Sequence, residues 1–166
     1  MNFRLAKKFE AETILALYKA VIGTPFCTWN DDYPGIFEIN NDLDTGNLFV
    51  LEDDGKIIGA ASIVPENELD NLDFWSAKEK AGEFARVVLH PNYRGKGLAK
   101  ILVSNVLSEM KWRGLKNVHI SVAKENIPAQ KTYERLGFAT VGENEMWGHD
   151  FYLCELNLKG SMWRLV

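Results

Sequence analysis

The run Arg86–Lys100, RVVLHPNYRGKGLAK, holds the groups that grip a polyanion. An apolar, strand-like run (Val87–Leu89) ends at His90-Pro91, and Gly95 and Gly97 lead into a long amphipathic segment. Backbone N–H groups at a helix N-terminus lack internal partners, and the helix dipole is positive there. Glycines let that backbone come close to a ligand. The combination suits a phosphate or pyrophosphate, and Arg94, Lys96 and Lys100 add mobile positive charge. A plain strand-to-helix turn with a solvated basic start would use the same residues. The GxxxxGK[ST] pattern of an ATP loop is absent, as is the GxGxxG of a dinucleotide fold.

Other reactive residue types are scattered. His90, His119 and His149 show no i, i+4 pairing, so no metal site is expected. His119 lies on the strand face opposite Val118 and Ile120, and His149 precedes the last strand. Cys27 and Cys154 stand far apart with no CxxC, too few for a disulfide scaffold. Cys154 alternates with Tyr152 and Leu156 and reads as a small buried hydrophobe.

The elements that must position these groups follow from periodicity. Ile14, Leu17, Tyr18 and Val21 form a helical stripe, ended by Gly23-Thr24-Pro25. An aromatic loop spans 24–35, and a short helix is expected at 36–44. The runs 47–52 and 56–64 flank Asp53-Asp54-Gly55, a hairpin signal. Residues 65–80 read as a loop or short helix, and Ala81–Leu89 as a strand. Ala99, Leu102, Val103, Val106 and Met110 mark a helix from Leu98 to Gly114. Val118, Ile120 and Val122 alternate as a strand, residues 126–136 are helical, and 138–142 and 151–158 close the chain as strands. This order gives a mixed sheet of the α/β (α+β) class, with about seven strands and about four helices.

The chain has 166 residues, 46% hydrophobic and 25% charged, which argues against disorder and membrane spans. One domain over 1–166 is expected, soluble and cytoplasmic, a monomer or homodimer with no signal peptide. The net charge of −4 argues against a DNA coat protein and hides a division. Residues 1–83 carry 7 basic and 16 acidic side chains (−9), residues 84–124 carry 8 and 1 (+7), and residues 125–166 carry 4 and 6 (−2). The basic block coincides with the proposed phosphate segment and would attract an anionic ligand.

Arg94, Gly97 and Ala99 match the [Q/R]-x-x-G-x-[G/A] acyl-CoA pyrophosphate loop of the GNAT superfamily of N-acetyltransferases. Asn126, Ala129, Tyr133, Gly137 and Phe138 resemble its N-x-x-A-x-x-x-Y-x-x-x-G-F element. Two ordered motifs about 30 residues apart, in a matching order of strands and helices, carry the resemblance. It implies a GNAT-like fold in which two parallel strands, ending at Leu89 and covering 118–123, splay to form a cofactor wedge. Backbone groups of Val87, Val88 and Leu89 would then hold the pantetheine and thioester. Those of Gly95, Lys96, Gly97, Leu98 and Ala99 would hold the pyrophosphate. Asn126 would contact the pantetheine arm, a role compatible with capping the following helix. Tyr133 would protonate the departing thiolate, since a phenol (pKa about 10) can serve a thiol (about 8.5) without ionising itself; otherwise it is a packed aromatic. Glu83, before the cofactor strand, is the candidate general base, the alternatives being a solvent-facing or Arg-paired carboxylate. The acceptor side would come from Phe26, Trp29, Asp31, Asp32 and Tyr33, from Asp70, Asp73, Phe74 and Trp75, and from Trp147 and His149. Aromatic and acidic side chains suit a cationic amine, of small-molecule or peptide type.

The resemblance thus implies acetyl-CoA-dependent transfer to a primary amine by direct attack in a ternary complex, with no metal, nucleic acid or membrane involved. Three other readings are weighed beside it: an idle module that binds acyl-CoA for sensing, a nucleotide-phosphate binder, and DNA binding by the basic helix.

Overall fold

The computed structural model describes residues 1–65 and 67–160; residue 66 and residues 161–166 of the expected 1–166 domain lie outside the described residues. The chain runs β1 (Asn2–Leu5), α1 (Ala11–Val21), α2 (Ile36–Asp44), β2 (Leu48–Asp53), β3 (Lys56–Val64), β4 (Ala81–Leu89), α3 (Leu98–Trp112), β5 (Asn117–Ala123), α4 (Ile127–Arg135), β6 (Ala139–Met146) and β7 (His149–Asn157). The strands form one sheet in the order β1-β2-β3-β4-β5-β7-β6. All neighbours are antiparallel except β4 and β5. Among the described residues, the mixed seven-strand sheet with four α-helices is the architecture expected from the element order.

One face of the sheet packs on α3 and α4. The α3 stripe Leu98, Leu102, Val103, Val106, Leu107 and Met110 is buried against Ile58, Ile63, Phe84, Val118 and Ile120. The other face carries α1 and α2, whose Ile14, Leu17, Tyr18 and Ile39 bury against Leu48, Val50, Ala60 and Val88. A smaller cluster on Leu69, Trp75 and Leu153 completes that side. Alternation along β3 and β4 divides the side chains: Phe84 joins the α3 face, while Ser62 reaches α2 at Asp42.

Two boundaries differ from the sequence reading. β6 runs to Met146 rather than stopping at Gly142. Gly142 marks a register shift against β7, not an end, because the pairing resumes through Met146 and His149. The Trp147-Gly148 turn, both residues at positive φ, then closes a tight hairpin. His149 is therefore the first residue of β7.

Candidate functional site

The site begins with a bulge. Ser62 lies opposite Ala85 and Ala60 opposite Val88, so β4 carries one residue more than β3 across this step. Arg86 absorbs it with φ +53, a left-handed conformation costly for a residue with a Cβ. β4 and β5 share only the pairs Ala81/Asn117 and Gly82/Val118 before they part. Bulges bend and twist a strand, and here β4 stays with β3 and leaves β5.

A cleft of about 770 Å³ opens at that parting. Val87, Val88 and Leu89 form one wall and Asn126, Ala129 and Tyr133 stand opposite. At one end lies the start of α3, with Arg94, Gly95, Gly97, Leu98, Ala99 and Lys100 on the lining. Gly95 and Gly97 have φ +74 and +75, which other residues adopt only under strain. Gly97 caps α3 with no side-chain hydrogen bond and no acid in the first turn, so the first N–H groups remain free for an anion. Arg94 donates to Thr24 Oγ1 at 3.3 Å, tying the phosphate end to the α1–α2 loop. Lys96 is not on the lining; its Nζ sits 5.4 Å above the Tyr93 ring.

Tyr133 also lines the cleft. Its ring packs edge-on to Phe84 at 5.6 Å and tilted to Phe138 at 5.8 Å. Its hydroxyl takes no hydrogen bond from the described residues, and Tyr133 lines both the cleft and a second cavity of about 370 Å³ beside Cys154. Burial pushes the phenol above its ordinary pKa, so it stays protonated at neutral pH. Asn126 plays one of its two expected parts visibly: Oδ1 accepts the Ala129 N–H at 3.2 Å, capping α4. It also stands on the cleft wall.

Glu83 lies outside the cleft lining, on the α2 face of β4, opposite Val64. It is half-buried, and no hydrogen bond or ion pair joins its carboxyl to a described residue. Arg86, the nearest cation on its strand, is committed elsewhere. Its Nε and Nη2 donate to Asp42 Oδ2 and Oδ1, each at 3.0 Å, and Nη1 reaches Tyr33 Oη at 3.3 Å. Asp42 is 3% exposed and also accepts from Ser62 Oγ at 2.6 Å. Desolvation raises Glu83 to a pKa of about 8; Arg86 opposes the shift and Asp70 adds to it.

The remaining acceptor-side candidates divide. Pro25–Trp29 line the cleft. Trp75 is not open to a ligand, since it is 7% exposed and stacked on His119 at 4.1 Å. Phe74 covers Gly142. Trp147 is 75% exposed at the hairpin tip, and His149 Nδ1 lies 3.3 Å from Glu125. Asp31 offers only its carbonyl, to Lys19. Sequence reasoning missed Asp42 as the partner of Arg86. The available signal was a lone arginine inside an apolar strand, which needs a buried counter-charge. Among the described residues no group of three or more His, Cys, Asp or Glu could hold a metal, and no helix is long and apolar enough to cross a membrane.

Residues 14–138 match the family model described as Acetyltransferase (GNAT) family. A mycothiol acetyltransferase of Cellulomonas flavigena is 29% identical over 108 residues, 64% of this chain but only 30% of that protein's length. A GNAT-family acetyltransferase of Streptococcus agalactiae superposes with a TM-score of 0.80 at 20% identity, over 94% of each chain. An acetyltransferase of Salmonella typhimurium, solved with acetyl-CoA, superposes at 0.72 and 20% identity over 99% of this chain and 97% of its own. The strand parting and the bare α3 N-terminus are thus set within a family match spanning most of the sequence, and the chain belongs to the GNAT acetyltransferase family.

Proposed function

We propose that the chain, as one cytoplasmic domain, transfers the acetyl group of acetyl-CoA to a primary amine by direct attack in a ternary complex. The observation that carries this reading is the cleft itself, which is lined both by the start of α3, with its uncapped N–H groups, and by Tyr133. The residues fit the donor: two glycines at positive φ clear the backbone for a pyrophosphate, and β4 past Gly82 has an edge that β5 does not pair.

When bound, acetyl-CoA supplies the activated thioester. The N–H groups from Gly95 to Ala99 hold the pyrophosphate, with Arg94 and Lys100 adding charge. Backbone groups of Val87–Leu89 hold the pantetheine arm and polarise the thioester carbonyl. Asn126 orients the arm while capping α4. Glu83, with a pKa of about 8, suits removal of a proton from an ammonium near neutral pH, directly or through water. Tyr133, protonated throughout, donates its proton to the leaving sulfur. The acidic first half of the chain favours a cationic acceptor, small molecule or peptide.

The test is a thermal-shift comparison of acetyl-CoA, CoA, ATP and NAD, followed by thiol release against an amine library. Ligand at 100 times its Kd adds about 2.7 kcal/mol, which raises Tm by roughly 5–10 °C for a chain of this size. Stabilisation by ATP and none by acetyl-CoA refutes the reading.

A further inference from the structure

α4 sorts its charged side chains between two cavities. Lys131 and Arg135, four residues apart and so on one helix face, line the cleft. Glu134, between them in sequence, lines the smaller cavity beside Cys154 instead. The start of α3 adds Lys100 to the cleft lining, and the turn before it adds Arg94. Among the described residues, no aspartate or glutamate stands on that lining.

Arg94 and Lys100 flank the N–H groups of α3 and belong with the pyrophosphate. Lys131 and Arg135 stand on the other helix with no such task. Both are exposed, and no ion pair or hydrogen bond joins either head group to a described residue. Lys124, just upstream, shows the ordinary alternative, since its ammonium lies 2.7 Å from Glu143. Like charges four residues apart destabilise a helix slightly. Arg135 recovers some of that from the helix dipole in the last turn, but Lys131 does not. An anion between them turns the repulsion into attraction. Cβ atoms at this spacing are about 5–6 Å apart, so the two long side chains can converge on one group. A phosphate monoester suits them: it carries about −1.5 to −2 charge at pH 7 and three strong acceptor oxygens, and guanidinium and ammonium are the side-chain groups that bind it.

We propose that Lys131 and Arg135 form a second phosphate subsite, which takes the 3′-phosphate on the ribose of CoA and so selects the full cofactor over its dephospho form. This rests on the reading of the cleft as the donor site. The donor carries two separate phosphate groups, a bridging pyrophosphate and a terminal monoester. The first is shared among the backbone N–H groups of α3. The second meets the mobile cations that α4 turns to the same cleft, while Glu134 is kept on the far side of the helix.

The experiment is isothermal titration of the full chain with CoA and with dephospho-CoA at low salt. CoA binds about 10-fold tighter, the yield of two exposed charge pairs. In Lys131→Met/Arg135→Met the affinity for CoA falls to that for dephospho-CoA, which itself holds. Both side chains are exposed, so the variant keeps its fold, and either single variant, narrowing the gap in part, carries the test should the double one fail. Lys124→Met removes an equal charge from outside the cleft lining and leaves the ratio of the two affinities intact. Equal binding of CoA and dephospho-CoA by the parent chain overturns the subsite. So does a parallel loss for both ligands in the double variant, an unchanged ratio in both single variants, or the same narrowing in Lys124→Met. Binding of neither ligand by the parent chain overturns the donor reading, and the proposal with it.

Discussion

Replacing Asp42 by Ala strips Arg86 of its counter-charge. The pair is well removed from water, with side chains 13% and 4% exposed for Arg86 and Asp42. Two charge-assisted hydrogen bonds of 3.0 Å vanish, as does the acceptor of Ser62 Oγ at 2.6 Å. Removing one partner of a buried pair costs about 3–5 kcal/mol, because the other charge is left unpaired. At roughly 2–4 °C per kcal/mol for a chain of this length, Tm falls by roughly 6–20 °C. Arg86 also occupies the strained left-handed position that turns β4 away from β5, and Asp42 helps hold it there. The stabilisation gained from acetyl-CoA should therefore shrink in Asp42→Ala. Calorimetric melts of Asp42→Ala, Arg86→Met and Asp42→Leu/Arg86→Met close a double-mutant cycle. The double variant buries no lone charge and should melt above either single one. A Tm loss under about 2 °C in Asp42→Ala, against the roughly 6–20 °C expected, refutes the reasoning, as does a double variant equal to the sum of the singles.

Other outcomes follow from the same geometry. Glu83 has a folded-state pKa of about 8 against an ordinary 4.5, so its neutral form is favoured by folding. Its contribution is fully present below about pH 4.5 and lost as pH rises through 8, about 3–5 kcal/mol in all. Glu83→Gln should melt above the parent chain at pH 9, with the gap closing towards pH 4.5; a constant gap across that range contradicts the burial argument. The Tyr133 hydroxyl has no partner among the described residues, so Tyr133→Phe should leave Tm nearly unchanged while kcat drops roughly 10²-fold. Unchanged turnover removes Tyr133 as acid. Asn126→Ala loses the cap on Ala129 and about 1 kcal/mol, whereas Asn126→Asp keeps the cap. If Asn126→Asp retains both Tm and acetyl-CoA affinity, the residue is a cap alone.

The sequence by itself determined the element order, because strand and helix periods are local and the glycines of the 95–97 turn announce their own backbone. It also carried the two motifs at 94–99 and 126–138, whose residues are close along the chain. It left β6 short, because Gly142 resembles a strand end when the β7 partner that continues the pairing is out of sight. The charge division located the basic cleft but not its counterparts. Which acid answers Arg86, whether Glu83 is paired or alone, and what holds His119 were decided only by the tertiary structure. Asp42 and Arg86 are 44 residues apart, and a carboxylate's protonation depends on burial and on charges brought close by folding, neither of which a linear pattern encodes. The bulge at Arg86 belongs to the same class: a left-handed arginine inside an apolar strand is unreadable from propensity, and becomes intelligible once α2 places Asp42 beneath it.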